Sequence, residues 1–215
     1  MSVLRTLCIT LVLLAVSLGH GLAANARKIT LTNQDRADIT RAEDYLRSVT
    51  TLKAHFLQMA PNGNQAEGTA FFSRPGHMRL QYDPPSPLLV VADGTFLIVF
   101  DKELGDPSYI PLGSTPAGIL VRENVQLDGG DVQVTKVQRQ PGVLSISLVE
   151  SDDPGQGELT LVFSESPFAL RQWRVMDAQG QVTSVSLYET QTGMKLDEKL
   201  FQFKNPKFIP PIIRQ

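Results

Sequence analysis

The second half of the chain constrains the fold class most strongly, because segments with strand character recur there at short and regular intervals. These segments are predicted at residues 132–139, 143–150, 158–164, 170–177, 181–190 and 194–203. Short turn sequences such as "QPG", "AQG" and "QTG" separate them. Strands of this length joined by short turns form an antiparallel meander. The segments share no repeated sequence, so a propeller or a solenoid is not predicted.

The first half begins with an amphipathic helix, predicted at residues 32–49. Thr32 and Asp35 have the spacing of a capping box, and apolar residues recur every three or four positions on one face. From Leu52 the apolar period becomes two, which indicates a strand. The helix therefore has one face to bury, and the sheet begins directly after it.

More strands follow, interrupted once. The Asn-Gly turn in "APNGNQ" precedes a strand at residues 67–73, and residues 88–92 and 95–101 form a hairpin around Asp93-Gly94. Between residues 107 and 123 the alternation stops, and "STPAGILV" predicts a short apolar helix that starts at Thr115-Pro116. In total, about ten strands and two helices share one core.

The N-terminal segment predicts export. Arg5 precedes an apolar run at residues 7–18 that is too short to span a bilayer, and small residues follow at Ala24 to Ala26. We expect cleavage there, which makes residues 1–26 a signal peptide and residues 27–215 one domain. Cys8 is the one cysteine of the chain, and it lies in the predicted signal peptide. We expect no disulfide and a periplasmic location, although an uncleaved anchor is the alternative.

Few residues suggest catalysis or a bound cofactor. His55 and His77 have no metal-binding spacing, and there is no nucleophile elbow, phosphate loop or dinucleotide fingerprint. Asp152 and Asp153 lie in a predicted turn. The net charge is −2, and no basic patch suggests nucleic acid. We therefore predict no enzyme activity, no metal, no cofactor and no nucleic-acid partner, although the sequence leaves a catalytic serine open.

The segment "FFSRPGHMRLQYDPP" at residues 71–85 raises a specific question about its two arginines. Met78, Leu80 and Tyr82 alternate with a polar set that contains His77 and Arg79. This pattern predicts that Arg79 is an ordinary solvated charge on a strand. Arg74 instead stands at a Pro-Gly corner, where it could have a defined partner.

Several segments, taken in order, resemble the periplasmic outer-membrane lipoprotein carrier family LolA. The segments are "LRSVTTLKAHFLQ", "EGTAFFSRPGHMRLQYDPP", "LLVVADGTFLIVFDKEL", "PLGSTPAGILV", "VMDAQGQVTSVSLYE" and "LDEKLFQFKNP". The resemblance implies a mainly β fold, an antiparallel unclosed half-barrel of about eleven strands, with short helices as a lid over an apolar cavity. Residue periodicity alone does not distinguish such a cavity from a filled core.

The resemblance also implies a function. The carrier would accept triacylated lipoproteins from an inner-membrane ABC transporter and deliver them to the outer membrane, to an acceptor lipoprotein where one exists. We expect a monomer. In the family, the arginine of the Arg-Pro motif holds the lid closed, and by position this is Arg74. Two departures are visible: Leu80 stands where many members have tryptophan, and the tail "NPKFIPPIIRQ" is short and rich in proline.

Residues on single strand faces and in the short helix are the candidates for the cavity wall. The predicted acyl-binding residues are Met78, Leu80, Tyr82, Leu89, Val91, Phe96, Ile98, Leu112, Ile119, Leu120, Ile146 and Leu161. A register error of one residue would move any strand residue to the other face. A carrier of another lipid, such as a glycolipid or phospholipid, is the alternative function on the same fold.

Overall fold

The described part of the chain forms a single antiparallel sheet of eleven strands, with helices packed against it. The structure, a computed structural model, describes residues 29–205. The strands are β1 Thr51–Met59, β2 Gln65–Ser73, β3 His77–Tyr82, β4 Leu88–Asp93, β5 Phe96–Asp101, β6 Pro107–Pro111, β7 Val132–Gln140, β8 Val143–Glu150, β9 Gly157–Glu165, β10 Phe168–Asp177 and β11 Val182–Thr192. The predicted signal peptide and most of the proline-rich tail lie outside the described residues.

The strands follow the order β6-β5-β4-β3-β2-β1-β11-β10-β9-β8-β7. Every neighbouring pair is antiparallel, and among the strands of residues 29–205 the only sequence-distant pairing joins β1 to β11. Because β6 and β7 do not pair with each other, the sheet is unclosed. The eleven-stranded unclosed sheet with few helices confirms the predicted fold class.

Two α-helices pack against the sheet. The first, α1, spans Asn33–Ser48, and the capping box predicted at Thr32 and Asp35 is present. The second, α2, spans Pro116–Val121, with the Thr115 side chain accepting a hydrogen bond from the Gly118 amide at 3.2 Å. Both helices follow the capping signals in the sequence. Within the described part of the chain, no helix is long and apolar enough to cross a membrane.

The two faces of the sheet are covered differently. We call the face that packs against α1 and α2 the inner face and the opposite one the outer face. The inner face contributes to one core cluster that joins Ile39 and Leu46 of α1, Ile119 and Leu120 of α2, and apolar residues from strands across the sheet. The helices therefore lie on the inner face, as a lid over a sheet should.

Two sequence predictions of strands were wrong. The segment predicted at residues 194–203 contains instead a 3-10 helix at Glu198–Phe201, because Asp197 caps it with its Oδ1, 2.9 Å from the Lys199 amide. The missed strand is β6, which has proline at both ends. An edge strand tolerates proline, because one of its sides has no ladder partner.

Candidate functional site

The inner face is a continuous apolar surface that is covered by the lid. Eight of the predicted acyl-binding residues lie in its core cluster, and none is more than 7% exposed. They are Met78, Leu80, Tyr82, Ile146 and Leu161 from the sheet, and Leu112, Ile119 and Leu120 from α2 and the 3-10 turn before it. The structure therefore brings these eight side chains together beneath and within the lid, in a closed arrangement.

The other four predicted residues lie on the wrong face. Met78 pairs with Ala92, and Leu80 pairs with Val90, so in β4 the even-numbered residues face inward. Val91 pairs with Arg79 and Ile98, and Leu89 pairs with Phe100. Phe96 shares the outer face with Ile98, two residues along β5. We correct the prediction for Leu89, Val91, Phe96 and Ile98, because pairing register places all four on the outer face.

Aromatic side chains form much of the packing on the inner face. Phe56 meets Tyr82 edge to face at 5.0 Å between ring centroids, and Phe72 meets Trp173 at 5.9 Å. The Tyr82 hydroxyl donates a hydrogen bond to Gln58 Oε1 at 2.6 Å. Burial raises the pKa of Tyr82 to about 12. This buried hydroxyl thus stays neutral and bonded in an otherwise apolar wall.

Arg74 joins the sheet to both helices of the lid. It follows β2, and its Nε donates to the Leu120 carbonyl oxygen at 2.8 Å. Its Nη1 donates to the Val49 carbonyl oxygen at 3.0 Å and also to that of Leu46. The acceptors are carbonyls at the C-terminal ends of α1 and α2, which lack partners within their own helices. One guanidinium therefore caps two helix ends, and we call Arg74 with these three carbonyls the latch.

The corner that carries Arg74 is shaped by glycine and backbone bonds. Gly76 has φ of 81° and donates its amide to the Val121 carbonyl oxygen at 2.7 Å. A Cβ at Gly76 would lie 2.9 Å from the Gly94 Cα, in the next hairpin. The Arg74 amide donates to the Thr50 carbonyl oxygen at 2.8 Å. Glycine at this position thus lets the corner approach both α2 and the neighbouring turn.

The latch holds a partly buried positive charge. Burial lowers the pKa of Arg74 from 12.5 to about 10, so the guanidinium remains charged at neutral pH and keeps its donors. The C-terminal carbonyls of α1 carry partial negative charge from the helix dipole, which favours a cation there. If the lid moved away, the acceptors would be lost unless water replaced them. The latch is therefore stable only with both helices seated.

Arg79 is not the solvated charge that the sequence predicted. Its Nη1 donates to the Leu200 carbonyl oxygen at 3.1 Å, and burial lowers its pKa. Nearby, the His77 ring lies 5.5 Å from the Phe201 ring, and Phe100 lies 5.3 Å from Phe203. The C-terminal segment with its 3-10 helix thus covers the outer face of β3 to β5. Arg79 anchors that segment on the outer face.

One sequence signal could have revealed this outer cover. The stretches "LLVVA" and "FLIVF" in β4 and β5 are apolar without interruption. A strand that is apolar at every position is typical of one buried on both faces. A period of two in these stretches instead assigns the wrong half of each strand to the cavity.

The described residues give no sign of a metal centre. Across residues 29–205, no three His, Cys, Asp or Glu side chains are placed to hold a metal ion. The chemistry of the inner face is that of apolar contact, with the latch as its principal polar feature. The arrangement suits binding of an apolar ligand after the lid opens.

Comparison with known proteins agrees with the sequence resemblance. Residues 47–204 match a family model described as outer membrane lipoprotein carrier protein LolA. An outer-membrane lipoprotein carrier protein from Legionella pneumophila (strain Paris) is 29% identical over 185 residues, 81% of this chain and 88% of that protein. One from Dechloromonas aromatica is 29% identical over 184 residues, with 78% and 84% covered. A solved LolA superfamily protein from Nitrosomonas europaea is 10% identical, covering 77% of this chain and 97% of that one, with a TM-score of 0.43.

Proposed function

Because this chain belongs to the LolA family of outer membrane lipoprotein carriers, we propose that it is a periplasmic carrier of triacylated lipoproteins. The acyl chains bind the inner face of the sheet once the lid has opened. The observation that carries the proposal is the latch, in which Arg74 closes both lid helices over a continuous apolar surface.

The need for such a surface follows from the hydrophobic effect. Burial of acyl chains is worth ~0.8 kcal/mol per methylene, so three chains of about 14 methylenes represent roughly 30 kcal/mol. A scatter of exposed leucines cannot shield this much surface from water. The inner face offers a large contiguous apolar surface, of which Met78, Leu80 and Leu161 are part.

A carrier must also release its cargo. Part of the free energy gained from acyl contacts is spent in opening the closed, empty protein, so a stable latch lowers the apparent affinity for the ligand. Arg74 supplies that opposing free energy through its three carbonyl bonds. The same balance allows the cargo to be received from an inner-membrane ABC transporter and passed to the outer membrane, through an acceptor lipoprotein where one exists.

Capture of a lipoprotein in solution tests the proposal. The protein without residues 1–26 is mixed with membrane vesicles that contain a triacylated lipoprotein and the lipoprotein-releasing ABC transporter, together with ATP. The soluble fraction is then analysed by size exclusion and mass spectrometry. We expect a soluble one-to-one complex. The matched control is the same lipoprotein without its acyl chains, for which no complex is expected.

Two outcomes would contradict the proposal. One is a soluble fraction that contains no triacylated lipoprotein, and the other is equal capture of the unacylated form. Extraction of phospholipid or glycolipid alone would favour the alternative carrier of another lipid on the same fold.

A further inference from the structure

The lid helix α1 is joined to the sheet by a short connection at its C-terminal end. Its last residue is Ser48 and β1 begins at Thr51, so two residues join its C-terminal end to the sheet. Within the described residues, only positions 29–32 precede its N-terminal end, and they belong to no strand. At 1.5 Å per residue, this 16-residue helix is about 24 Å long. If α1 lifts, its N-terminal half must travel furthest.

A cluster of charged side chains holds that N-terminal half. Arg139 of β7 donates from Nε to Asp38 at 2.6 Å and from Nη2 to Asp35 at 2.7 Å. Arg41 donates to Asp38 at 3.3 Å and to Glu165, the last residue of β9, at 2.9 Å. We call these five residues the charge cluster. It joins α1 to two strands that lie far from Arg74 in the sheet order, at and near the β7 edge.

The charge cluster is more than a set of surface ion pairs. The Asp38 side chain is 8% exposed and accepts from both arginines, with Gln34 Nε2 a further donor at 3.4 Å. The Arg41 guanidinium also lies 4.2 Å from the centroid of the Phe168 ring. Removal of one arginine would leave the buried Asp38 carboxylate with less compensation of its charge, which is destabilising. Loss of one member therefore weakens the whole attachment.

We infer that the charge cluster is a second fastening on α1, and that the lid opens only when both it and the latch are released. The inference rests on the proposed function, since it concerns how the lid opens. The latch restrains α1 close to its covalent tether, where movement is small. The charge cluster restrains the end with the longest path. Its residues act by positioning the lid, and they do not touch the acyl chains.

Hydrogen exchange of the ligand-free protein tests this inference. In Arg139→Gln, we expect amides of residues 36–41 to exchange about tenfold faster, while amides of β1 and β2 keep their wild-type rates. Glu165→Gln should show the same pattern with a smaller change. It provides the test if Arg139→Gln does not fold. The matched control is Arg171→Gln, which removes a single bond from Nε to Ser164 Oγ and should leave α1 unchanged.

The salt dependence of hydrogen exchange distinguishes an electrostatic attachment of α1 from a role in packing alone. Molar sodium chloride screens partly exposed ion pairs, so it should speed exchange in α1 of the wild type and have a smaller effect in Arg139→Gln, which keeps the ion pairs of Arg41. The Arg139 and Arg41 side chains are 40% and 43% exposed, which makes them accessible to ions. A role in packing alone would give no such difference between the two proteins.

The outcomes are separable from those of the carrier proposal, because exchange is measured without cargo. Unchanged exchange in α1 of both Arg139→Gln and Glu165→Gln, with both proteins folded, would overturn the inference even if lipoprotein binds. Faster exchange confined to α1 would support it even if no lipoprotein binds. With a triacylated lipopeptide, we further expect about tenfold tighter binding by Arg139→Gln, since closing is then less favourable.

Discussion

Replacement of Arg74 by leucine should increase the affinity for acylated ligand, although it removes a bonded residue. The wild-type guanidinium makes three hydrogen bonds to lid carbonyls. Bonds to a charged group are worth about 2 kcal/mol each, so roughly 6 kcal/mol favours the closed lid. These bonds form only when both helices are seated.

Burial of the charge reduces this figure. The pKa of Arg74 falls from 12.5 to about 10, and each unit corresponds to about 1.4 kcal/mol. The cost of burial is therefore about 3.5 kcal/mol, which leaves the latch worth about 2.5 kcal/mol in favour of the closed lid. Since 1.4 kcal/mol is a factor of ten, the leucine variant should bind a triacylated lipopeptide ~100-fold more tightly.

The assay is a titration with a fluorescent triacylated lipopeptide, followed by transfer to acceptor vesicles. Arg74→Leu should bind more tightly and deliver more slowly. Arg74→Lys should lie between it and the wild type, because an ammonium cannot span carbonyls of both helices. Arg79→Leu is the matched control, since that arginine bonds the Leu200 carbonyl on the outer face. A folded Arg74→Leu with wild-type affinity and delivery would refute the reasoning.

Three further predictions concern stability. Gly76→Ala should lower the free energy of unfolding by about 1 to 3 kcal/mol in denaturant titration, because φ is 81° there; an unchanged midpoint would contradict the tight corner. Phe201→Ala should cost about 3 kcal/mol in the same titration and leave lipopeptide affinity unchanged, whereas altered affinity would contradict an outer-face role. The pKa of Asp35 is lowered from 3.8 to about 2, mainly by its hydrogen bonds to Thr32. Its contribution to stability should therefore be complete above pH 4 and disappear as the pH falls through 2, and Asp35→Asn should lack that part of the acid-induced loss in circular dichroism.

Local signals in the sequence predicted much of this fold. The capping box at Thr32, the Thr115-Pro116 helix start and the turns of the meander each specify structure through neighbouring residues, and each was confirmed. The prediction of a strand at residues 194–203 was wrong, because Asp197 starts a 3-10 helix there. Alternation alone does not show whether a terminal segment pairs with the sheet or crosses its face.

The candidate site was predicted less completely. The role of Arg74 was implied by the resemblance to the family's Arg-Pro motif, but its acceptors lie 25 to 46 residues away in sequence, where no local pattern indicates them. Asp38 and Arg139 bond to each other although they are 101 residues apart in sequence, and no local pattern connects them. The assignment of Val91 and Ile98 to the cavity was wrong, since both faces of β4 and β5 are apolar and only the pairing register distinguishes them.

Photo-crosslinking from the acyl chain tests most directly whether the inner face binds lipid. A triacylated lipopeptide with a diazirine near the end of one acyl chain is bound, irradiated and located by peptide mass spectrometry. We predict crosslinks to inner-face residues such as Met78, Leu80 and Leu161, and none to Val91 or Ile98 of the outer face. Crosslinks confined to the outer face, or absent from the inner one in a complex that is fully bound, would contradict the account.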